Sequence, residues 1–396
     1  MLIQIFLFLF LGILVGIFTG LIPGIHVNLI GIILISFISS IFFSINPIYL
    51  VVFIISLAIT HTFLDFIPSI FLGCPDTDTE LSILPGHELL KKGLGYEAII
   101  LTAYGSLAAI FMLLIIAYPS ILIVPKIYEL IKNIVPFLII LISSILILSE
   151  KNKKSAFVVF LLSGLLGLSI LNLNSESSIF LLPLLTGLFG SSTLILSIKN
   201  KAEIPEQKIK NPDTKIYKPL LGALIASPMC SFLPGLGSGQ AAVIGNMISK
   251  TDQKGFLILL GATNTLVMGF SFISLYVISK TRTGAAVAIK EIANSLSKEV
   301  FILILITILI SGIISFFLTK FLAKIISQKI RNVNYTKLSI ITLLILFSIV
   351  FFISGIIGLV ILIISTLTGI YCISLNVRRT NMMGCLLIPT IFLYLI

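Results

Sequence analysis

The segment PGLGSG, residues Pro234 to Gly239, lies between two apolar runs that are each too short to cross a lipid bilayer. Leu220 to Leu233 has about fourteen residues and Gln240 to Ser249 about ten, whereas a spanning helix needs about twenty. Because proline lacks a backbone N–H and glycine permits unwound backbone, the pattern predicts two half-helices that meet in a broken turn inside the bilayer. Irregular backbone at that depth is tolerated where it lines a cavity. The alternatives are one long, kinked transmembrane helix and an ordinary glycine-lined helix contact.

The second half-helix is expected to begin near Ser238 and to present its free N–H groups and positive dipole end to this cavity. Such a site favours an anion, for example a carboxylate. Lysines flank the hairpin at both ends: Lys199, Lys201, Lys208, Lys210, Lys215, Lys218, Lys250 and Lys254. By the positive-inside rule both ends face the cytoplasm, so the segment enters the membrane and returns on the same side.

The composition is that of a membrane protein. Hydrophobic residues make up 58% of the chain and charged residues 10%, and the mean hydropathy is +1.21. Nearly the whole chain must therefore be solvated by the lipid bilayer or buried in a helix bundle. The net charge is +11, and the lysines that produce it lie in short loops between apolar runs. Lysines in such loops determine the topology and contact anionic head groups, so no nucleic acid partner is expected. The four cysteines are widely spaced, which predicts packing roles and no metal site: Cys74, Cys230, Cys372 and Cys385.

A second proline-glycine turn lies near the N-terminus. It is GLIPGIHVN, Gly20 to Asn28, between the apolar runs Leu2 to Thr19 and Leu29 to Phe43. Hydropathy and loop charge predict five spans after each hairpin. After five spans the chain is on the opposite side of the membrane, whereas a hairpin returns it to the side from which it entered. The second half therefore starts on the opposite side from the first, and the halves are expected to have opposite orientations, as in alternating-access carriers. The predicted fold class is an all-α polytopic membrane protein with two inverted-topology repeats, each a re-entrant Pro-Gly hairpin followed by five transmembrane helices.

The predicted boundaries follow this scheme. The first membrane repeat is 1–198 (hairpin 2–43, spans within 49–198), a basic cytoplasmic linker is 199–219, and the second repeat is 220–396 (hairpin 220–249, spans within 256–396). ITHTF, Ile59 to Phe63, and ATNTL, Ala262 to Leu266, occupy corresponding places in the first full span of each half. An external loop at 280–299 breaks the positive-inside pattern. Either its Lys280 and Arg282 attract a substrate carboxylate, or the predicted topology is wrong at this loop.

Two ionisable residues lie near the middle of the first full span. His61 and Asp65 are four positions apart, so their side chains are expected to share one helix face. Ionisable groups at that depth are costly and indicate an ion or proton pathway, although a structural pair that fixes helix packing would have the same spacing. Neutral donors and acceptors are predicted at the same depth: Thr60, Thr62, Thr263, Asn264 and Thr265. His26, just after the first Pro-Gly, is predicted either to line the cavity or to cap the half-helix.

The segment PDTDTE, Pro75 to Glu80, groups three carboxylates. Asp76, Asp78 and Glu80 can supply the oxygen ligands that hard cations prefer, or they can form a solvated cytoplasmic turn. Enzyme motifs are incomplete: GLGSG lacks the lysine and the preceding strand of a phosphate-binding loop, and His87 lacks the second histidine of a zinc protease. The chain is therefore not expected to be an enzyme, and no cofactor is expected besides Na+ or H+ as a coupling ion.

Three stretches together resemble the large membrane subunit of the tripartite tricarboxylate transporters, the TctA type. They are GIFTGLIPGI (Gly16 to Ile25), GCPDTDTELSILPGHELLKKGLGYEAI (Gly73 to Ile99) and LGALIASPMCSFLPGLGSGQAA (Leu221 to Ala242). The family has a Pro-Gly-Leu-Gly-type turn in each half and a P-x-T segment followed by Lys-Lys-Gly, and this chain is identified as a divergent, shorter member. The resemblance implies ion-driven uptake of carboxylates, in which an extracytoplasmic binding protein delivers substrate and a small membrane subunit assists.

Carried onto this sequence, the resemblance implies a substrate site framed by both Pro-Gly turns and by the segment 75–79. The expected substrate-binding residues are Pro23, Gly24, His26, Asn28, Pro75, Thr77, Thr79, Pro234, Gly235, Gly237, Ser238 and Gly239, together with Asn264 at the depth of the turns. The expected ion-coupling residues are His61, Asp65, Asp76 and Asp78.

These predictions describe a secondary active transporter in the cell membrane. A small carboxylate-type anion would bind between the two hairpin tips near the midplane, and co-transported Na+ or H+ would offset its charge. Two alternatives stay open: a flippase for a lipid-linked phosphate, since helix N-termini bind phosphate as readily as carboxylate, and a non-transporting membrane scaffold. Assembly as a homodimer also stays open.

Overall fold

The structure, a computed structural model, describes residues 2–22, 27, 45–72, 79–131, 134–171, 178–199, 205–232, 237–280, 283–293, 296–330 and 335–395. Within these ranges every regular element is a helix and there is no strand, and residues 205–216 are irregular. Seven of the described helices are long and apolar enough to cross a membrane by length and composition, and three shorter apolar helices accompany them. The prediction of an all-α polytopic membrane protein is therefore confirmed.

The helices are numbered here in chain order. Those of the first half are α1 (Leu2–Leu21), α2 (Pro47–Leu64), α3 (Phe66–Leu72), α4 (Ile83–Lys91), α5 (Gly95–Ile131), α6 (Val135–Leu148), α7 (Lys153–Leu171), α8 (Ser178–Leu185) and α9 (Ser192–Lys199). Those of the second half are α10 (Tyr217–Phe232), α11 (Ser238–Ser249), α12 (Gln253–Ile278), α13 (Gly284–Ala293), α14 (Lys298–Lys329), α15 (Tyr335–Ser374) and α16 (Gly384–Leu395). A π-helical turn, Thr186–Ser191, joins α8 to α9, and short 3-10 turns occupy Glu80–Ser82 and Arg379–Met383.

Proline and glycine explain where the helices differ from the predicted spans. The first full span breaks between α2 and α3 because Pro68 has no N–H to donate to the carbonyl of Leu64, four residues earlier. Hydropathy predicts two spans, at 338–352 and 356–374, whereas the structure has the single helix α15 there, in which Gly355 has φ 62° and ψ −157°. That left-handed φ favours glycine, so two helical segments meet there.

Each half also contains a short helix that the sequence analysis did not predict. Helix α4 follows the segment 73–78, and α13 occupies the middle of the predicted polar loop 280–299. One face of α13 is apolar and buried, which includes Ala285, Ala288, Ile289 and Ile292. Charged residues flank this face, so the mean hydropathy of the loop is low and its helical periodicity is hard to recognise in the sequence.

The described elements occur in the same order in both halves. Each half has a helix before its Pro-Gly turn (α1, α10), a first full span (α2 with α3, α12), a short helix (α4, α13) and a long span (α5, α14). The long span of each half packs against the first full span of the other, since α5 contacts α12 and α14 contacts α2. The short helices cross over in the same way: α4 contacts α12, and α13 contacts α2. The two halves are therefore interlocked.

Two spans form the centre of the bundle. The most apolar window of Pro47–Leu72 and that of Gln253–Ile278 are each 94% buried, compared with 28–44% for the other five candidate spans. A chain segment buried on all sides inside a membrane protein need not contact lipid, so it can carry polar groups. These are the two spans that contain ITHTF and ATNTL.

Helix α1 lies directly against α2 through three glycines spaced four residues apart. A methyl group added at Gly12 would lie 2.0 Å from Ser56 Oγ, one at Gly16 2.7 Å from Thr60 Cβ, and one at Gly20 2.7 Å from Leu64 Cβ. Small residues at this spacing let transmembrane helices approach closely. The contact fixes the helix before the first Pro-Gly turn to the central span.

The described part of the linker, residues 205–216, is anchored to the turn between α4 and α5. The Gln207 side chain accepts a hydrogen bond from the Gly95 N–H at 2.7 Å and donates one to the Leu90 carbonyl at 3.1 Å. The Lys208 N–H donates to the Gly93 carbonyl at 2.7 Å. The linker therefore lies at the same end of the bundle as the start of α5.

Candidate functional site

The two central spans contact each other through the ITHTF and ATNTL segments. The hydroxyl oxygens of Thr62 and Thr265 lie 3.4 Å apart, and both residues are buried. These threonines hold equivalent positions in the two segments. The sequence suggested that Thr62 and Thr265 correspond, and the two residues are in contact although they are more than two hundred positions apart.

Asp65 and Asn264 form a buried polar contact between the two central spans. The Asn264 amide nitrogen donates a hydrogen bond to Asp65 Oδ2 at 2.8 Å and lies 3.4 Å from the Thr62 carbonyl oxygen. Both side chains are 3% exposed. Asp65 lies at the break between α2 and α3, so its carboxylate is held where Pro68 interrupts the helix. A buried carboxylate opposite a neutral donor is a costly arrangement at this depth and therefore marks a candidate ion site.

His61 is directed towards α1. Its Nδ1 lies 3.1 Å from the Thr19 hydroxyl, which donates to the Gly16 carbonyl at 3.2 Å. Because the single hydroxyl proton is used in that bond, the Thr19 oxygen accepts from Nδ1–H. His61 and Asp65 are one turn apart, as predicted, and they connect α2 to two different neighbours, α1 and α12.

A chain of hydroxyls leads from Asp65 to the described end of the PDTDTE segment. Ser69 Oγ donates to the Asp65 carbonyl at 2.8 Å and lies 2.6 Å from the Thr79 hydroxyl. The Thr79 carbonyl in turn accepts from Ser82 Oγ at 2.7 Å. Thr79 is fully buried, so this predicted substrate-binding residue lies next to the central span.

The start of α11 lies where the sequence predicts a helix to begin, near Ser238. Helix α11 begins at Ser238, after Gly237 in extended conformation, and the Gly237 N–H donates to Gln240 Oε1 at 2.6 Å. Gly237, Ser238 and Gly239 are buried. Ala242 of α11 belongs to the same apolar cluster as Phe66 and Ile67 of α3. Helix α11 packs against α10 and against α12, the span that carries Asn264.

Many of the other predicted site residues lie outside the described residues: Pro23, Gly24, His26, Asn28, Pro75, Asp76, Thr77, Asp78, Pro234, Gly235 and Arg282. Their roles stay predictions. Val27, within the first turn, is buried in the main apolar core. Within the described ranges no three histidine, cysteine or acidic side chains lie close enough to share a metal ion, and two of the cation ligands predicted at PDTDTE, Asp76 and Asp78, lie outside those ranges. Lys280 lies over the ring of Tyr128, 5.7 Å from its centroid, near the far end of α5 from the linker.

The sequence analysis missed three hydroxyl residues around this site, Thr19, Ser69 and Ser315. Ser315 of α14 donates to the Thr60 hydroxyl at 2.9 Å. Each of these residues sits in an apolar helix, where an isolated hydroxyl commonly bonds to its own backbone. Only the pairing of helices shows that they contact the predicted polar residues.

A second polar cluster lies beside α4. Burial, together with the nearby positive charges of Arg379 and Lys91, lowers the pKa of His87 to about 4. Burial also lowers the pKa of Arg379 to about 10, and Arg379 donates to the Thr193 hydroxyl at 2.7 Å. His87 Nε2 is buried and has no hydrogen-bond partner among the described residues. His87 is therefore neutral at physiological pH.

This lowered pKa predicts a pH-dependent stability. Between pH 6.5 and about 4 the unfolded chain binds a proton at His87 that the folded chain does not, so stability falls as the pH falls through this window. His87→Gln is expected to lose less of its thermal stability than the wild type between pH 7.5 and pH 5, measured by thermal unfolding in detergent. An identical loss in both proteins would contradict the assignment.

The profile of the tripartite tricarboxylate transporter TctA family matches residues 6–384. An uncharacterized protein of Methanocaldococcus jannaschii is 34% identical over 400 residues, which cover 98% of each chain. No solved structure matches. Because the family match extends over nearly the whole chain, including the two central spans, the chain belongs to the tripartite tricarboxylate transporter TctA family.

Proposed function

We propose that the chain is an ion-coupled secondary transporter that moves a small carboxylate-type anion across the cell membrane by alternating access. The observation that carries the proposal is the buried contact between Asp65 and Asn264, which joins the central spans of the two halves. Membership of a tricarboxylate transporter family supports the carboxylate class. A transporter family also argues against an enzyme.

An inverted repeat is supported by the way the halves pack. Two units related by a twofold axis contact each other through equivalent residues wherever the axis passes, and Thr62 and Thr265 are such a pair. The same axis requires every contact between halves to occur twice with the partners exchanged. Two such pairs of contacts are present. The contact of α5 with α12 corresponds to that of α14 with α2, and the contact of α4 with α12 corresponds to that of α13 with α2. In carriers of this kind, rocking of one repeat against the other exposes the site to each side in turn.

The substrate anion is proposed to bind beside the start of α11. The first turn of a helix offers unpaired N–H groups and a positive dipole end, both of which favour a carboxylate. Gly237 to Gly239 are buried at that helix start, and α11 packs against α12, the span that carries Asn264. The Pro-Gly turns 23–24 and 234–235 are proposed to form the hairpin tips on either side.

A coupling ion is proposed because an anion and Asp65 would otherwise place two negative charges in one buried region. Na+ or H+ taken up near Asp65 would offset that charge. The Asn264 amide donates to Oδ2, and the two oxygens of a carboxylate together have about four lone pairs, which also allow it to bind a cation. His61, one turn away, is the proposed second proton carrier.

Two partners are proposed from the tripartite family. An extracytoplasmic binding protein would deliver the anion, and a small membrane subunit would associate with the bundle. A homodimer is proposed as the assembly, which size measurement of the purified chain in detergent would test.

Uptake into proteoliposomes tests the proposed function. The chain, reconstituted with its partner proteins, is expected to accumulate a labelled tricarboxylate only when an inward Na+ or H+ gradient is imposed. Collapse of both gradients with ionophores should abolish accumulation because the anion then lacks its counter-charge. Equal uptake with and without both gradients would contradict ion coupling, and translocation of a lipid-linked phosphate without carboxylate uptake would favour a flippase.

A further inference from the structure

A cavity of about 460 Å³ lies between the start of α5, the linker and the later part of α14. Its lining residues are Tyr96, Ile209, Asn211, Phe317, Lys320, Phe321 and Lys324. None of them belongs to the predicted substrate or ion-coupling residues. The cavity is therefore a separate feature of the surface and needs its own explanation.

One face of α14 supplies both charge and apolar surface to this cavity. Phe317, Lys320, Phe321 and Lys324 are spaced so that they lie on the same side of the helix. Phe317 is 63% exposed and Phe321 61% exposed. Within the part of the chain that the structure describes, neither lysine forms an ion pair with an acidic side chain. Exposed aromatic rings beside uncompensated lysines match an amphiphile that has both an acyl chain and a negative headgroup.

The position of these residues along α14 is that of a membrane boundary. The apolar run from Val300 to Thr319 has about twenty residues, enough to cross the hydrocarbon core, and Lys320 follows it directly. Lysines at such a boundary extend their charge to the headgroup layer while their methylenes stay in apolar surroundings. The linker completes the cavity at this end, and its position near Gly93 and Gly95 is fixed by Gln207 and Lys208. The positive-inside rule assigns this end to the cytoplasm.

We infer that the cavity binds an anionic phospholipid of the cytoplasmic leaflet. The phosphate would lie between the ammonium groups of Lys320 and Lys324, since lysine binds phosphate as a point charge. The hydroxyl of Tyr96 and the amide of Asn211 are the neutral polar groups of the lining. The acyl chains would run along Phe317 and Phe321. Such a lipid connects the linker to α14 and so stabilises the junction between the two halves.

Lipid titration of the purified full-length chain in detergent tests this inference. Phosphatidylglycerol is expected to remain bound in native mass spectrometry and to raise the unfolding temperature, whereas phosphatidylcholine is not. Each lysine near an anionic headgroup contributes about 1 kcal/mol, so Lys320→Gln with Lys324→Gln is expected to weaken phosphatidylglycerol binding about 30-fold. The matched control, Lys298→Gln with Lys329→Gln, removes two charges from the same helix outside the cavity and is expected to leave binding unchanged.

Two further variants separate a lipid from a soluble anion. Phe317→Ser with Phe321→Ser keeps both lysines and is expected to weaken phosphatidylglycerol binding, and glycerol phosphate is expected not to displace the lipid. Displacement by glycerol phosphate would overturn the inference, as would equal binding of the two lipids or equal weakening by the control pair. Lys324 is exposed, so Lys324→Gln alone provides the charge test if the double variant does not fold.

Discussion

Replacement of Asp65 by asparagine is expected to reduce gradient-driven uptake about 100-fold while the protein stays folded. Asparagine has nearly the same shape as aspartate, and its side-chain oxygen can still accept the bond from Asn264 that Asp65 Oδ2 accepts at 2.8 Å. It cannot carry a negative charge or take up a proton. An interaction with a charged group contributes roughly 1.5–3 kcal/mol, and the upper end of that range corresponds to a change in affinity of about 100-fold.

The measurement is uptake in proteoliposomes with equal amounts of reconstituted protein. Asp252→Asn is the matched control, because it makes the same chemical change at the N-cap of α12, where Asp252 accepts from the Gly255 N–H at 2.9 Å and asparagine caps equally well. We expect wild-type uptake from this control. Full uptake by Asp65→Asn, with the gradient still required, would show that the carboxylate has only a packing role.

Exchange of labelled for unlabelled substrate without an ion gradient distinguishes an ion-binding role of Asp65 from a structural one. If Asp65 binds the coupling ion, Asp65→Asn is expected to lose accumulation against a gradient more severely than exchange of labelled for unlabelled substrate, since exchange needs no net ion movement. A purely structural role would lower both activities together.

The sequence predicted the parts of the fold that the membrane dictates. Lipid imposes long apolar runs on every span, so hydropathy located the central spans, and the Pro-Gly turn indicated a helix start near Ser238, where α11 begins. The weak likeness of ITHTF and ATNTL predicted corresponding positions, and the structure places Thr62 against Thr265. The candidate residues Asp65 and Asn264 could be named because polar groups in apolar spans are conspicuous.

The contacts between helices could not be predicted in the same way. A hydroxyl such as Ser315 looks like any other small residue of an apolar helix until α14 is known to pack against α2, where Ser315 donates to Thr60. The glycine spacing at Gly12, Gly16 and Gly20 was visible in the sequence, but the identity of the facing helix was not. Pairing depends on the three-dimensional fit of whole surfaces, which one sequence does not encode locally.

Replacement of Gly261 by alanine is expected to lower the free energy of unfolding by about 3 kcal/mol. A methyl group added at Gly261 would lie 2.0 Å from the Thr102 carbonyl oxygen, and one at Gly105 would lie 2.0 Å from the Ile258 carbonyl oxygen. The obstacles are backbone atoms, which cannot move aside by changing a rotamer. Helices α5 and α12 would have to separate, which also breaks the bond from Ser106 Oγ to the Gly261 carbonyl at 3.0 Å.

Thermal and denaturant unfolding in detergent measure this loss, and Gly190→Ala is the matched control. Gly190 is also a buried helical glycine, but a methyl group there would meet nothing closer than 3.9 Å, so we expect little change. Gly261 lies one turn before Asn264, and a shift of α12 would draw the amide away from Asp65. Uptake by Gly261→Ala is therefore expected to fall further than its loss of folded protein explains. Equal stability of the two alanine variants would contradict the close approach of α5 and α12.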